Sequence, residues 1–132
     1  MSNQANSTYI AGVCNINTTE VRRRRKAGYF GLFATVLIAL ASLINEWGTA
    51  PTLLLTLLAS FISSFGFLQA HYNFCANYAL RGKQNVNEKT KIVDTPQSNK
   101  LADRKKALKI MVVSLALSIV VTTFVVIMNL IF

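Results

Sequence analysis

The chain has 132 residues, 52% of them hydrophobic, and a mean hydropathy of +0.40, too apolar for a soluble domain that must still cover itself with charge. Only 14% of residues are charged, yet the net charge is +9, a balance that suits either a nucleic-acid binder or a membrane protein whose basic residues face anionic lipid. No Lys or Arg falls between residues 27 and 80 or after Lys109, so the charge abuts long apolar runs, and the basic face with interleaved aromatics that nucleic acid needs is missing.

In chain order, residues 1–17 are polar and without a clear period, and they read as an irregular N-terminal segment. Asn17-Thr18-Thr19-Glu20 reads as a helix start, with Asn17 capping exposed N–H groups and Glu20 reaching back. Arg22, Arg23, Arg24, Arg25 and Lys26 then lead into the first apolar run, residues 27–44. At about 1.5 Å per residue this run crosses most of a hydrocarbon core of about 30 Å if its flanking side chains snorkel. The alanines near its end resemble a cleavage site, but the apolar run continues past them and a second span comes next, so the segment is expected to be retained. Trp47 suits the headgroup layer.

Pro51 stands where proline is tolerated, in the first turn of a second helix. That helix is expected to run on through His71 and Cys75 to Leu80, with Gly82 as its C-cap. The short link between the first two runs forces an antiparallel hairpin, residues 18–82. Residues 83–103 read as a basic loop containing Pro96, and Arg104, Lys105, Lys106 and Lys109 introduce a third span, residues 104–132. The fold class is thus an all-α membrane protein with three transmembrane helices. All 14 Lys and Arg flank ends that a path with the N-terminus inside and the C-terminus outside puts on one side. The expected setting is a bacterial inner membrane with a cytoplasmic N-terminus, which would leave the glycosylation patterns at Asn6 and Asn17 unused.

Small residues recur at helical spacing: Gly28, Gly31, Thr35, Ala39 and Ser42 on the first span, and Thr52, Thr56, Ala59, Ser63, Gly66 and Ala70 on the second. Such stripes let helices approach closely in lipid, and here they would hold a three-helix bundle or a dimer together. Ser114, Ser118, Thr122 and Asn129 share approximately one face of the third span. No Asp, Glu, Lys or Arg interrupts the apolar cores, which argues against a proton-coupled pump.

The chemistry-bearing residues are few. His71 precedes Cys75 by four, so on a continuous helix both share a face, and Cys14 falls at the same membrane level. These three could bind a soft metal, or the two thiols could work as a sulfur or redox pair, but no CxxC is present and no cofactor is expected. Glu20, Glu88, Asp94 and Asp103 read as loop or cap acids with basic neighbours, and no nucleophile elbow, phosphate loop or HExxH occurs, so no enzyme is expected.

Asn15-Ile16-Asn17, the arginines leading into Gly28, the tight hairpin, Gly66-Phe67, and Phe74-Cys75 with Leu80 form an order that resembles the YgaP-like small transmembrane domain. The resemblance implies a dimeric hairpin module, found alone or attached to a rhodanese sulfurtransferase, and a sulfur-handling role that would fall on Cys75. The chain departs from it in Cys14, in the residue after Cys75 and in the third span.

Three roles emerge as expectations. The first is a structural or accessory subunit, associating as a homo-oligomer or within a larger membrane complex, with Arg22, Arg23, Arg24, Arg25, Lys26, Arg104, Lys105 and Lys106 at anionic headgroups. The second is a thiol-dependent module using Cys75 with Cys14 and His71, and the third is a small oligomeric channel or transporter. The topology is checked by accessibility mapping with single cysteines, which should place positions 91 and 46 on opposite faces of the membrane.

Overall fold

A computed structural model of the chain describes residues 9–86 and 92–132; Asn6, Glu88 and Lys91 lie outside the described residues. The first helix, α1 (Thr18–Ile44), begins at Asn17, whose Oδ1 accepts from the Glu20 N–H at 2.9 Å. The reciprocal arm of the expected capping box is replaced. Asn17 donates its own N–H to the Asn85 carbonyl at 2.7 Å, and the Glu20 carboxylate turns forward to Arg23 and Arg24 at 3.0 and 3.4 Å. At the other end Glu46 adopts a left-handed conformation (φ 49°), and the Trp47 N–H closes onto the Ser42 carbonyl at 3.1 Å. This is a Schellman closure, which satisfies carbonyls that a helix end would otherwise orphan.

The second helix, α2 (Thr49–His71), starts after a four-residue link and runs back antiparallel to α1. It stops sooner than its sequence suggests. Asn73 is left-handed (φ 51°), and the Phe74 N–H donates to the Gln69 carbonyl at 2.9 Å, a second Schellman closure. A separate short helix, α3 (Ala76–Leu80), comes next with Cys75 at its N-cap. The expected continuous helix to Leu80 is therefore broken, and His71 and Cys75 do not share a helical face. Gly82 (φ 65°) ends α3 as expected, its N–H donating to the Ala79 carbonyl at 3.1 Å.

The stretch expected to be a loop carries more order than its composition indicates. Strand β1 (Lys83–Gln84) pairs antiparallel with β2 (Val93–Asp94), and a 3-10 turn (Gln97–Asn99) leads into α4 (Lys100–Ile131). Helix α4 thus starts before the basic cluster, and at 32 residues it is about 48 Å long, more than a bilayer core requires.

Helices α1, α2 and α4 are each long and apolar enough to cross a membrane, so the chain is an all-α protein with three candidate spans. They pack as a layer with α2 in the middle, against α1 on one side and α4 on the other, while α1 and α4 barely touch. Those outer two are joined by the Asn129 amide, which donates to the Ser42 carbonyl at 3.0 Å. Most leucine, valine and phenylalanine side chains of the spans point outward, as in Leu54 and Phe30, and most small and hydroxyl residues point inward, with buried Val125 and exposed Thr123 as exceptions. This inversion of a soluble core is what lipid as solvent selects, because lipid tails are as apolar as leucine and only close packing separates inside from outside.

The small-residue stripes lie inside the chain. A Cβ on Gly31 would stand 2.5 Å from the Ser63 nitrogen, and one on Gly66 would stand 2.6 Å from the Gly28 nitrogen. Thr35, Thr56, Ala59 and Ser63 are buried along the same packing. Most buried span hydroxyls return to carbonyls of their own helix, as in Thr35 to Gly31 at 2.8 Å, Ser60 to Thr56 at 2.7 Å and Ser114 to Ile110 at 2.7 Å, while those of Thr56 and Thr122 have no partner among the described residues. Ser60 also reaches across to the Ser118 carbonyl at 3.4 Å.

Because the clash at Gly31 and Gly66 is with backbone, each Gly→Ala change should push the helices apart. Thermal unfolding in detergent should register about 1–3 kcal/mol of destabilisation for Gly31→Ala and Gly66→Ala. Gly48→Ala, where a Cβ meets only Pro51 Cδ at 3.9 Å, should cost less than either.

Candidate functional site at the basic end

The antiparallel path brings the N-terminal ends of α1 and α4 and the C-terminal end of α2 to one end of the layer, where the basic residues also converge. Arg22, Arg23, Arg25, Lys26, Arg104 and Lys105 are exposed there, Arg24 is half-buried, and half-buried Lys106 places Nζ 3.7 Å over the Tyr72 ring. Over this end folds the N-terminal segment, as an ordered strap from Tyr9 to Asn17 rather than an irregular tail.

Asn15 is the hub of the strap. Its Oδ1 accepts from the Cys75 N–H at 2.7 Å, and its Nδ2 donates to the Cys75 carbonyl at 3.0 Å. Its backbone N–H donates to the Asn73 carbonyl at 3.2 Å, and its carbonyl accepts from Asn85 at 2.8 Å. One fully buried side chain thereby satisfies both backbone groups at the break between α2 and α3. Gln69 completes the arrangement, its Oε1 accepting from the Ala76 N–H at 3.1 Å. Beneath lies a buried apolar cluster, Phe74, Ala76 and Ala79 against Ala107 and Ile110 of α4.

Cys75 sits inside this cap at 1% exposure. The glycine contact positions its neighbour. Because Gly66 lacks a Cβ, the Arg24 carbonyl approaches α2 closely, and the Arg24 guanidinium then donates from Nη2 to Cys75 Sγ at 3.1 Å while pairing with Glu20. The thiol is consequently held by a cation whose charge Glu20 balances, and it is shut away from reagents in the closed protein. Cys14 is half-buried, its Sγ 3.6 Å from the Ile16 carbonyl, and burial pushes its thiol above the usual cysteine range. That makes Cys14 a poor nucleophile at neutral pH.

His71 lies outside the cap, exposed and edge-on to Tyr72 at 5.0 Å. Among the described residues no three His, Cys, Asp or Glu side chains gather to hold a metal ion, so Cys14, His71 and Cys75 do not form the three-ligand site considered from sequence.

Asp103, expected to be an ordinary acid among basic neighbours, is fully buried instead. Its carboxylate accepts from the Gly12 N–H at 2.7 Å and from the Tyr9 hydroxyl at 3.0 Å, tying the strap to the first turn of α4. Burial, then the bond and charge of Asp103, push the Tyr9 phenol up to about 12, so this tether stays protonated through the neutral range. Of the other acids, Glu20 is buried and Asp94 is exposed on β2. Nothing in composition marked Asn15, Gln69 or Asp103. For Asn15 and Gln69 the available signal was isolation, single polar residues beside apolar or cysteine positions, whereas Asp103, followed by Arg104, Lys105 and Lys106, carried none.

No family model, curated protein or solved structure matches the chain.

Removing the Asn15 amide leaves the buried Cys75 N–H unpaired, while the Cys75 carbonyl keeps the Ala79 N–H at 3.1 Å. Asn15→Ala should destabilise the cap by about 2 kcal/mol or more. In a Cys14→Ser background it should also speed modification of Cys75 by a soluble thiol reagent, read by mass spectrometry, whereas the unmodified cap should react slowly.

Proposed function

We propose that this chain is a non-enzymatic structural or accessory protein of a bacterial inner membrane, with its basic end cytoplasmic against anionic headgroups. The strongest support is how the buried polar groups of the spans are used. Thr35, Ser42, Thr52, Ser60, Ser114 and Ser118 all bond carbonyls of their own helices, and the apolar segments carry no charged side chain. Such groups serve helix packing and offer little to a translocated solute. Because the glycine stripes are already used between α1 and α2, association with a second copy or a larger complex falls to the outer leucine faces, around Leu54, Leu58 and Leu115.

A second reading, a thiol-dependent module in keeping with the YgaP-like resemblance, is favoured by the 3.1 Å contact between Arg24 and Cys75. The two readings separate cleanly. An accessory protein carrying Cys75→Ser should fold and assemble as before, and a photo-crosslinker at Leu58 should capture the same neighbour from membranes of both forms. Loss of the in vivo phenotype with folding and crosslinking intact would instead assign the role to the thiol.

A further inference from the structure

Near their closest approach, α1 and α2 enclose a cleft of about 300 Å³ lined by Arg25, Tyr29, Phe67, Ala70 and His71. Its origin is local. Gly28 and Gly66 bring the two backbones almost into contact, and the Phe67 ring lies over Gly28 in the space a side chain there would take. Arg25 and Tyr29 are one turn apart on α1, Phe67 and His71 one turn apart on α2, and buried Ala70 leaves the space between them unfilled. Tyr29 and Phe67 meet edge to face at 5.0 Å and form the apolar wall.

The polar wall has one sign. Arg25 and His71 supply N–H donors, no carboxylate lines the cleft, and the Glu20 charge is already taken by Arg23 and Arg24. Arg25 forms no ion pair among the described residues. A planar guanidinium presents a fork matched to phosphate oxygens, and a histidine ring offers an N–H in either protonation state. The position is equally specific, since Arg25 stands two residues before the apolar run and Phe33, 63% exposed, continues the Tyr29 face one turn further along α1. A ligand seated here has its anion beside charge and its remainder beside exposed aromatic surface.

We propose that this cleft binds the phosphate of one anionic glycerophospholipid, Arg25 and His71 holding the headgroup and the Tyr29–Phe67 pair packing against the start of the acyl chains. The inference rests on the reading of the basic end as facing headgroups, and it adds a discrete site to that general attraction. Neither His71 nor the cleft aromatics belong to the basic clusters, so diffuse charge attraction alone assigns them no part.

The test is native mass spectrometry of the full chain in detergent, titrated with phosphatidylglycerol, phosphatidylcholine or soluble glycerol phosphate. One phosphatidylglycerol per chain should be retained in preference to phosphatidylcholine, with no retention of glycerol phosphate. Arg25→Gln and His71→Gln should each weaken retention roughly tenfold, the loss of a charge-assisted or well-placed hydrogen bond. Arg81→Gln, removing the same charge from an exposed site just after α3, should change it less than twofold. Both cleft side chains are exposed, so the variants should keep the lipid-free unfolding midpoint, which checks their folding. If Arg81→Gln weakens retention as much as Arg25→Gln, the cleft is overturned while the headgroup-facing reading stands. Equal retention of both lipids overturns the two together, and retention of glycerol phosphate replaces the lipid with a soluble ligand.

Discussion

The close approach of α1 and α2 at Gly28, Gly31 and Gly66 is the contact on which the remaining structure depends. In lipid no water is released when helices meet, so association has to come from backbones brought near enough for dense dispersion contacts. Only glycine permits the distances found here: an added Cβ would fall on the backbone of the neighbouring helix at Gly31 and Gly66, and on the Phe67 ring at Gly28. The same approach delivers Arg24 to Cys75 and sets the Tyr29–Phe67 ring pair beside Arg25 and His71. One packing contact thus fixes both the sealed thiol and the open cleft.

The basic end is held by a different kind of interaction. There the chain leaves the bundle, breaks α2 at Asn73 and must satisfy the backbone groups that the break exposes. Asn15 and Gln69 supply these partners from inside, and Asp103 anchors the strap to α4 through Gly12 and Tyr9. A buried amide or carboxylate fully satisfied in this way specifies a single arrangement, because any shift leaves a polar group unpaired at a cost well above an ordinary hydrogen bond's net worth. The spans supply adhesion and the cap supplies specificity.

These two regions also divide the chemistry. The span interior turns most of its hydroxyls onto its own carbonyls, and the two buried ones without a partner among the described residues, Thr56 and Thr122, stand singly on different helices. At the basic end, Cys75 is enclosed with an arginine beside it, while Arg25 and His71 are exposed beside the Tyr29–Phe67 pair. The enclosed residue is guarded by packing, and the outward ones are free to meet a ligand.

Some of this was legible in the residues themselves. Three apolar runs of spanning length, the gathering of basic residues at their ends, the Asn17 cap, the Gly82 terminus and the small-residue stripes come from hydropathy, periodicity and backbone preference, which act locally and leave a local trace. Tertiary structure alone decided that the stripes face one another within one chain, because a stripe has the same spacing whether its partner is a second helix or a second copy. It alone also decided the break at Asn73. Helix propensity and apolar content continue through residues 71–80, and the break is sustained by Asn15 about sixty residues away, a partner that no local pattern announces. The three spans stand with that amendment: the second ends at His71, and the segment beyond it, Cys75 included, belongs to the cap.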